Sequence, residues 1–381
     1  MKPLRLAGLI LLACVASRVH AEAILHPISS GLGNRDLTIS PDGDTLLTTL
    51  IAPANQFAAI VIYKRKNGQW QDPALAPFSG RYPDIEPMFA PDGKSLYFSS
   101  TRPKPGRDGD DWDIWMTSRT ENGWTEPVNL GAPVNTSGNE FYPSIASNGN
   151  LYFTAERESG VGGEDIFRAV ATAGHFAHIE VVTGVSTEGG EFNAFVAPDE
   201  SYIFYSADGR AGGPGRGDLY VSMRAGDGKF GPGRLLAEPV NSPALDYCPG
   251  VYGGRLYFAS RRQASMDGIA NYAELVRALS APGNGLGDLY WVPLDAVLVP
   301  EAPASANASR LSPFRHASQI LRPRTVDTCL QSRSSFSRFI LTRSASARRR
   351  STAGDPQTGG CPEPATRSHH SRIDSPGAAG G

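Results

Sequence analysis

Five polar residues recur along the sequence at intervals of 50 to 56 residues, and four of them are carboxylic acids: Asn34, Asp84, Glu140, Glu191 and Asp246. Carboxylates that converge on one site can bind Ca²⁺ or a basic peptide. A carboxylate that stays within its own loop caps a turn instead, by accepting hydrogen bonds from nearby backbone N–H groups. The sequence leaves both roles open.

Arginine and aspartate recur with the same period. The arginines follow a segment rich in aromatic residues: Arg102, Arg157, Arg210 and Arg261. The aspartates open the next Asp-aliphatic-aromatic segment: Asp113, Asp165, Asp218 and Asp288. An arginine and an aspartate at the two ends of one loop favour an ion pair that fixes the loop. We therefore expect each arginine to pair with the aspartate that follows it; the alternative is that the arginines line a binding face.

The elements that position these residues are short β-strands. Five segments repeat an apolar strand, a turn and a second strand that ends in aromatic residues: 37–50, 88–102, 144–157, 195–210 and 250–262. Pairs such as Asn67-Gly68 and Asn122-Gly123 then close a hairpin. Four short strands in each of several repeats of about 40 to 55 residues are typical of propeller blades. We predict an all-β fold, a β-propeller of five four-stranded blades.

The two ends of the repeat region predict how the propeller closes. The fifth repeat has no fourth strand of its own, because Trp291-Val292-Pro293 leads directly into the C-terminal segment. His26-Pro27-Ile28 matches Glu126-Pro127-Val128, the fourth strand of the second repeat. An N-terminal strand there would complete the last blade and cover its edge. Six blades, the alternative, would need a repeat that the sequence does not show.

This arrangement places the five recurring polar residues and the arginine-bearing loops around one mouth of the central channel, here called the top face. On the same face lies a long loop from Arg261 to Gly287, within which residues 271–279 predict a short helix with an Asn271 cap. A loop of this length is usually functional or disordered. We interpret it as a docking element.

Several phrases resemble a known family: EPMFAPDGKSLYFSSTRPKPGRDGDDWDIW, EPVNLGAPVNTSGNEFYPSIASNGNLYFTAERESGVGGEDIF and NSPALDYCPGVYGGRLYFASRR. They are similar to the TolB-like, WD40-like Pro-Asp repeat propellers of bacterial envelope proteins, over residues 34–292. TolB itself carries an N-terminal α/β domain before its propeller, and here the repeats begin shortly after residue 21. The resemblance implies a propeller fold and an envelope location, and it does not name a partner.

The two ends of the chain differ from the predicted propeller at residues 22–299. Residues 1–21 have the basic, apolar and small-residue regions of a cleaved signal peptide, which predicts the periplasm. A lipoprotein with its lipid on Cys14 is the less favoured alternative. Residues 300–381 are rich in arginine and serine and predict a disordered tail, with out-of-frame translation as a further hypothesis.

Charge and motifs exclude several classes of function. Residues 301–381 contain twelve arginines, no lysine and five acids, a formal charge of +7, which leaves −9 on residues 1–300 of a chain whose net charge is −2. The acidic main part argues against nucleic-acid binding. No Gly-x-Ser-x-Gly motif is present, which argues against a serine peptidase. The sequence also predicts no transmembrane segment.

Two functions fit these observations. The first is a monomeric, non-enzymatic periplasmic scaffold without a cofactor, whose top face binds an envelope protein, a peptide or a peptidoglycan-associated partner. Ca²⁺ at the channel mouth is an alternative that the sequence leaves open. The second is a five-bladed glycoside hydrolase, which would need a general acid and a second carboxylate near the channel. Asp36, Glu86 and Glu140 are the residues that could supply them.

Overall fold

The computed structural model of the protein describes residues 22–104, 106 and 109–298. The predicted signal peptide and the predicted tail from residue 300 lie outside the described residues. The closing strand is β1 (Ile24–Leu25). Blade 1 comprises β2 (Gly33–Ile39), β3 (Thr45–Ile51), β4 (Ala58–Lys66), β5 (Gln69–Trp70) and β6 (Ala74–Leu75). Blade 2 comprises β7 (Asp84–Phe89), β8 (Ser95–Ser100), β9 (Asp113–Thr120), β10 (Gly123–Trp124) and β11 (Val128–Asn129).

The remaining blades follow in chain order. Blade 3 comprises β12 (Glu140–Ile145), β13 (Leu151–Ala155), β14 (Asp165–Thr172) and β15 (His175–Val181). Blade 4 comprises β16 (Gly190–Val196), β17 (Tyr202–Asp208), β18 (Asp218–Met223) and β19 (Arg234–Leu235). Blade 5 comprises β20 (Asp246–Tyr252), β21 (Arg255–Ser260) and β22 (Asp288–Pro293). Two short helices are α1 (Tyr272–Ser280) and α2 (Asp295–Leu298).

Each blade is one antiparallel sheet, and the five sheets form a β-propeller, as the repeats predicted. The inner strands are buried along their length because they lie between neighbouring blades; in Glu140–Ile145 every residue is buried. Strands buried on both sides favour continuous apolar and aromatic sequence over strict alternation. This explains why the second strands contain consecutive apolar and aromatic residues, such as Tyr152 and Phe153, both fully buried.

The N-terminal segment completes blade 5, which confirms the predicted closure. The position of the strand was predicted wrongly: it is Ile24–Leu25 and not His26-Pro27-Ile28, because Ile24 and not Ile28 occupies the place of Val128. Ile24 pairs with Trp291 and Leu25 with Tyr290 in an antiparallel register. The blade therefore has four strands, one of them from the other end of the propeller chain. The N-terminal strand thus covers the outer edge of β22, which would otherwise be unpaired.

Each inner strand contains a β-bulge at the same place, and the residue in the bulge has a left-handed backbone. These residues are Asp36, Glu86, Tyr142, Asn193 and Cys248, with φ between 49° and 61°. A positive φ is strained for a residue with a side chain, and bulges redirect the side chain that they carry. One such residue from every blade is thereby directed to the propeller axis, where several of them are hydrogen bonded to one another.

Over the described part of the chain, no helix has the length and apolar character needed to cross a membrane.

Candidate functional site

The five recurring polar residues at the starts of the inner strands are fully buried. Glu191 accepts hydrogen bonds from the backbone N–H and the hydroxyl of Thr187, both at 2.7 Å. Glu140 accepts the same pair from Thr136, Asp246 from Ser242 and Asn34 from Ser30. The geometry is therefore that of turn caps. A binding ring would need these side chains to face solvent, and none of the five does.

Four arginines neutralise the four carboxylates, each within its own blade. The ion pairs are Arg102–Asp84 at 2.6 Å, Arg157–Glu140 at 3.0 Å, Arg210–Glu191 at 2.7 Å and Arg262–Asp246 at 2.9 Å. Each arginine also donates to a backbone carbonyl of the loop that enters the blade, as Arg210 does to Val185. The arginine thus ties the entry loop to the end of the second strand.

The sequence prediction about these arginines was wrong in two respects. Among the described residues these arginines do not pair with the aspartates of the third strand, because the start of the inner strand places a carboxylate directly opposite the end of the second strand. In blade 5 the position belongs to Arg262 and not to Arg261, whose guanidinium instead lies 6.0 Å from the Tyr247 ring. In blades 2 and 5 the position is marked by Ser-x-Arg, since Ser100 accepts from Arg102 as Ser260 accepts from Arg262.

Each of these arginines also stacks on two aromatic rings of its blade, one from the second strand and one from the third. The ring pairs are Phe98 and Trp115 for Arg102, Phe153 and Phe167 for Arg157, Tyr205 and Tyr220 for Arg210, and Phe258 and Tyr290 for Arg262. Cation–π contacts of buried guanidinium groups contribute to stability. The recurrence of aromatic residues before each arginine is explained by this contact.

The aspartates at the starts of the third strands organise the loops that precede them. Asp165 accepts from the backbone N–H groups of Val161 and Gly162, at 2.7 and 3.1 Å. Asp218 accepts from Gly215 and Asp288 from Gly283. In blade 2, Asp113 accepts from the Asn129 side chain and lies 3.7 Å from the Lys104 ammonium. All four geometries are those of structural repeat positions.

Blade 1 departs from the pattern in a consistent way. It has Asn34 where the other blades have a carboxylate, and no arginine follows its second strand. A neutral amide needs no counter-charge, so the two differences compensate each other.

These geometries predict the effect of removing one turn-capping carboxylate. Glu191→Gln should lower the free energy of unfolding by about 2 kcal/mol, because the half-buried Arg210 loses its partner. Added calcium should leave the melting temperature of the wild-type protein unchanged. Urea unfolding measures the stability change of Glu191→Gln, and thermal unfolding with and without calcium measures the effect of calcium. Glu188→Gln, at an exposed position, is the control. An unchanged Glu191→Gln stability combined with calcium stabilisation of the wild type would instead support a cation-binding ring.

A second polar group lies at the axis and is formed by the bulge residues together with Arg35, here called the axial cluster. Arg35 donates to Asp36 Oδ1 and to Glu86 Oε1, both at 2.7 Å. Glu86 also accepts from the backbone N–H of Tyr142 at 2.6 Å, and Cys248 lies 3.4 Å from the Asn193 side-chain oxygen. The cluster thus connects all five blades. Asp36 and Glu86 were predicted as candidate residues from the sequence, whereas Arg35, Tyr142, Asn193 and Cys248 were not.

The axial cluster has two carboxylates and one guanidinium in a space closed to water. Asp36 and Glu86 are each 2% exposed. Burial raises the pKa of Glu86 from its ordinary 4.5 to about 7 although Arg35 opposes the shift, and nearby Asp36 adds to it. Burial also raises the pKa of the Cys248 thiol. Because one arginine serves two acids, the cluster favours uptake of one proton near neutral pH.

This proton predicts a pH dependence of stability. The folded pKa of Glu86 exceeds its unfolded value, so its contribution is fully present below pH 4.5 and is lost as the pH rises through 7. Between pH 5 and 8 the loss should reach about 3 kcal/mol in the wild type and vanish in Glu86→Gln. Urea unfolding at several pH values measures it.

The comparison of the two proteins isolates Glu86 from other titrating groups. Burial and the nearby Arg255 lower the pKa of His26 to about 4, which gives a dependence of the opposite sign. That dependence is present in both proteins and cancels in the difference. Equal slopes in the wild type and Glu86→Gln would show that Glu86 is ionised throughout.

Of the three carboxylates proposed for glycoside hydrolysis, two are brought together and the third lies apart. Asp36 and Glu86 share Arg35 at the axis. Glu140 belongs to its own turn and pairs with Arg157. Across the described residues, no group of three or more His, Cys, Asp or Glu side chains is arranged to hold a metal ion.

An open cavity of about 730 Å³ occupies the opposite end of the channel from the axial cluster, where the first two strands of each blade are joined by turns. This end is here called the turn face. The cavity wall contains the last apolar residue of each inner strand: Ile39, Phe89, Ile145, Val196 and Val251. Tyr252 also lines the cavity, and its hydroxyl lies 2.8 Å from the Thr38 hydroxyl.

Comparisons with known proteins concern the fold. No family model matches the sequence, and no curated protein matches it. Similar solved structures include a putative TolB from Agrobacterium tumefaciens, 15% identical over 63% of this chain and 73% of that chain, with a TM-score of 0.39. TolB from Acinetobacter baumannii is 12% identical over 68% of this chain and 54% of that chain, with a TM-score of 0.37.

A GH43 endo-arabinanase from Bacillus licheniformis is also similar, 14% identical over 68% of this chain and 93% of that chain, with a TM-score of 0.41. TolB propellers and a glycoside hydrolase are thus among the solved structures to which the chain is similar, at comparable levels.

Proposed function

We propose that the protein is a non-enzymatic binding scaffold of the bacterial cell envelope, located in the periplasm, that docks a protein partner on its top face. The observation that carries the proposal is helix α1, in the loop between β21 and β22. None of its residues is buried. Four apolar side chains of the helix are exposed: Tyr272 by 80%, Leu275 by 39%, Val276 by 45% and Leu279 by 57%.

These side chains form one stripe. Tyr272, Val276 and Leu279 are four and three residues apart, and residues with this spacing lie on the same side of a helix. Contiguous apolar surface exposed to water is unfavourable and is typical of interaction sites. A stripe on a helix suits an apolar groove or a second helix of a partner protein.

The structure holds α1 in place, so that the stripe is preformed. Asn271 caps the helix by accepting from the Glu274 backbone N–H at 3.0 Å, and the Glu274 carboxylate accepts in turn from the Ala270 N–H at 2.8 Å. At the other end, the Asn284 side chain donates to the carbonyls of Gly31 and Leu279. A rigid docking element loses little conformational entropy on binding.

The state of the carboxylates supports binding over hydrolysis. A glycosidase needs two carboxyl groups that contact the sugar. Asp36 and Glu86 are closed to solvent and bound to Arg35, and Glu140 is bound to Arg157. Substrate could reach none of them without opening the propeller.

Site-specific photo-crosslinking tests the proposal. A photoreactive phenylalanine analogue at position 272 of the full chain should crosslink one envelope protein. Val276→Asp and Leu279→Asp should each abolish the crosslink. Arg277→Asp should retain it, because residue 277 lies on the other side of the helix, although its charge change of −2 exceeds the −1 of each test variant.

Two results would overturn the proposal. A crosslink that survives both Val276→Asp and Leu279→Asp would mean that the stripe is not the docking surface. Release of reducing sugar from peptidoglycan or from aryl glycosides, lost in Asp36→Asn and Glu86→Gln, would establish the hydrolase instead. Crosslinking to glycan alone would also contradict a protein partner.

A further inference from the structure

The cavity on the turn face combines apolar walls with unpaired positive charge. Arg65 and Arg255 lie at its rim, and both side chains are exposed. Neither guanidinium forms an ion pair with a residue that the structure describes. The one acid of the cavity lining, Asp42, is already bound to Arg119 at 3.2 Å and to Ser40. The rim therefore has an excess of positive charge.

Both arginines are held by aromatic stacking. The Arg255 guanidinium lies 4.2 Å from the Trp291 ring and that of Arg65 lies 5.5 Å from the Trp70 ring. Stacking fixes the plane of a guanidinium and leaves N–H groups at its edge for an anion. The lowered pKa of buried His26 is partly caused by Arg255, which agrees with a positive potential inside the cavity.

The deeper part of the cavity is apolar. The ring of Ile39, Phe89, Ile145, Val196 and Val251 is joined by Met88, Phe195 and Tyr257. The volume of about 730 Å³ lies within the range of about 300–1,000 Å³ that small-molecule sites occupy. Apolar walls with a few charged groups at the edge are also typical of such sites.

We propose that this cavity binds a small organic anion, with an apolar or aromatic body seated among the inner-strand residues and an acidic group at Arg65 and Arg255. The C-terminal segment of the chain is a poorer occupant on charge grounds. Residues 301–381 have a formal charge of +7, which the rim would repel. The site is separate from α1, so this proposal stands or falls independently of the docking proposal.

Fluorescence titration of the full chain with 8-anilinonaphthalene-1-sulfonate tests the site, and uncharged N-phenyl-1-naphthylamine is the matched probe. The sulfonate should bind to one saturable site. Replacing both rim arginines, Arg65→Gln and Arg255→Gln, should lower the affinity for the sulfonate about tenfold or more. The affinity for the uncharged probe should change by less than about twofold, because this probe makes no ion pair.

Three further proteins complete the test. Val251→Trp, which fills the cavity at a half-buried position, should weaken both probes about tenfold or more. Arg277→Gln and the double variant Val276→Asp, Leu279→Asp should bind the sulfonate as the wild type does. Circular dichroism melting checks that each variant is folded.

Several results would overturn the assignment. If the affinity for the sulfonate is unchanged when both rim arginines are replaced, the arginines do not bind an anion. Binding that survives Val251→Trp, or that is lost with the α1 stripe, would place the probe elsewhere. Tighter binding after deletion of residues 300–381 would show that the chain's own C-terminal segment competes for the cavity.

Discussion

Arg35→Met should lower the free energy of unfolding by about 3–5 kcal/mol at pH 7.5, the cost typical of removing one partner from a buried ion pair. Arg35 donates to Asp36 and Glu86 at 2.7 Å each, and both acids are 2% exposed. Without the guanidinium the axis would contain two carboxylates and no counter-charge. Urea unfolding followed by tryptophan fluorescence measures the loss.

The loss should depend on pH with a definite sign. Removing Arg35 raises the folded pKa of both acids, so that folding then requires them to take up protons. The destabilisation should therefore be largest at neutral pH and should shrink as the pH falls toward 5. Adding Asp36→Asn and Glu86→Gln to Arg35→Met should recover part of the stability, because no buried charge is then left unpaired.

A surface ion pair supplies the matched control. Arg168 pairs with Glu180 on the outer strands of blade 3, where both side chains are partly exposed. Arg168→Met should cost no more than about 1 kcal/mol, since solvent screens such pairs. If Arg35→Met costs no more than this control, the axial cluster is not a buried ion network.

The repeat made the fold predictable from sequence. A turn pair such as Asn67-Gly68 specifies a hairpin because both residues adopt a positive φ, 51° and 77° in the structure. Once five copies of the same strand pattern are aligned, blade number and closure follow from spacing. The same alignment placed Glu191 and Asp246 at equivalent positions. It did not reveal their burial, because that depends on how closely the entry loop packs against the blade.

The arginine pairing could not be read from order along the chain. Arg210 and Asp218 are eight residues apart in one loop region, whereas Arg210, just after the second strand, is nineteen residues from Glu191 on the inner strand. The observed pair forms because β16 and β17 are antiparallel, with Glu191 opposite Ala207 near the end of the second strand. Arg210 and Glu191 are thus brought together by the register of two antiparallel strands and not by closeness along the chain.

The axial cluster was hidden for a different reason. Its bulge residues stand at one repeat position but are five different residue types: Asp36, Glu86, Tyr142, Asn193 and Cys248. A repeat search finds positions where the residue type recurs. Here the recurring feature is a backbone conformation that non-glycine side chains rarely adopt, and sequence gives little indication of it. Arg35, which supplies the counter-charge, comes from one blade alone, so a repeat search does not find it either.

Deletion of residues 22–31 should lower the free energy of unfolding by about 4–6 kcal/mol. Each lost hydrogen bond contributes about 1 kcal/mol to this loss, and the apolar surface of Ile28 contributes about 2 kcal/mol. The deletion removes β1 and the segment that follows it. His26 donates its backbone N–H to Leu289 at 2.7 Å, and Leu289 donates to the Ser29 hydroxyl at 3.0 Å. Ile28 is buried in a hydrophobic core cluster to which all five blades contribute.

Two nested deletions separate the contributions of strand pairing and anchoring. Removing only residues 22–25 takes away β1, whose two side chains are largely exposed, and should cost about 1–2 kcal/mol. Removing 22–31 also frees the edge of β22 along its length, and an unpaired edge recruits other chains. Light scattering during urea refolding should therefore rise for the longer deletion and stay low for the shorter one. Equal stability of the longer deletion and the wild type would mean that blade 5 is complete without the N-terminal segment, and the propeller would then be held closed by the packing of β20 and β2 alone.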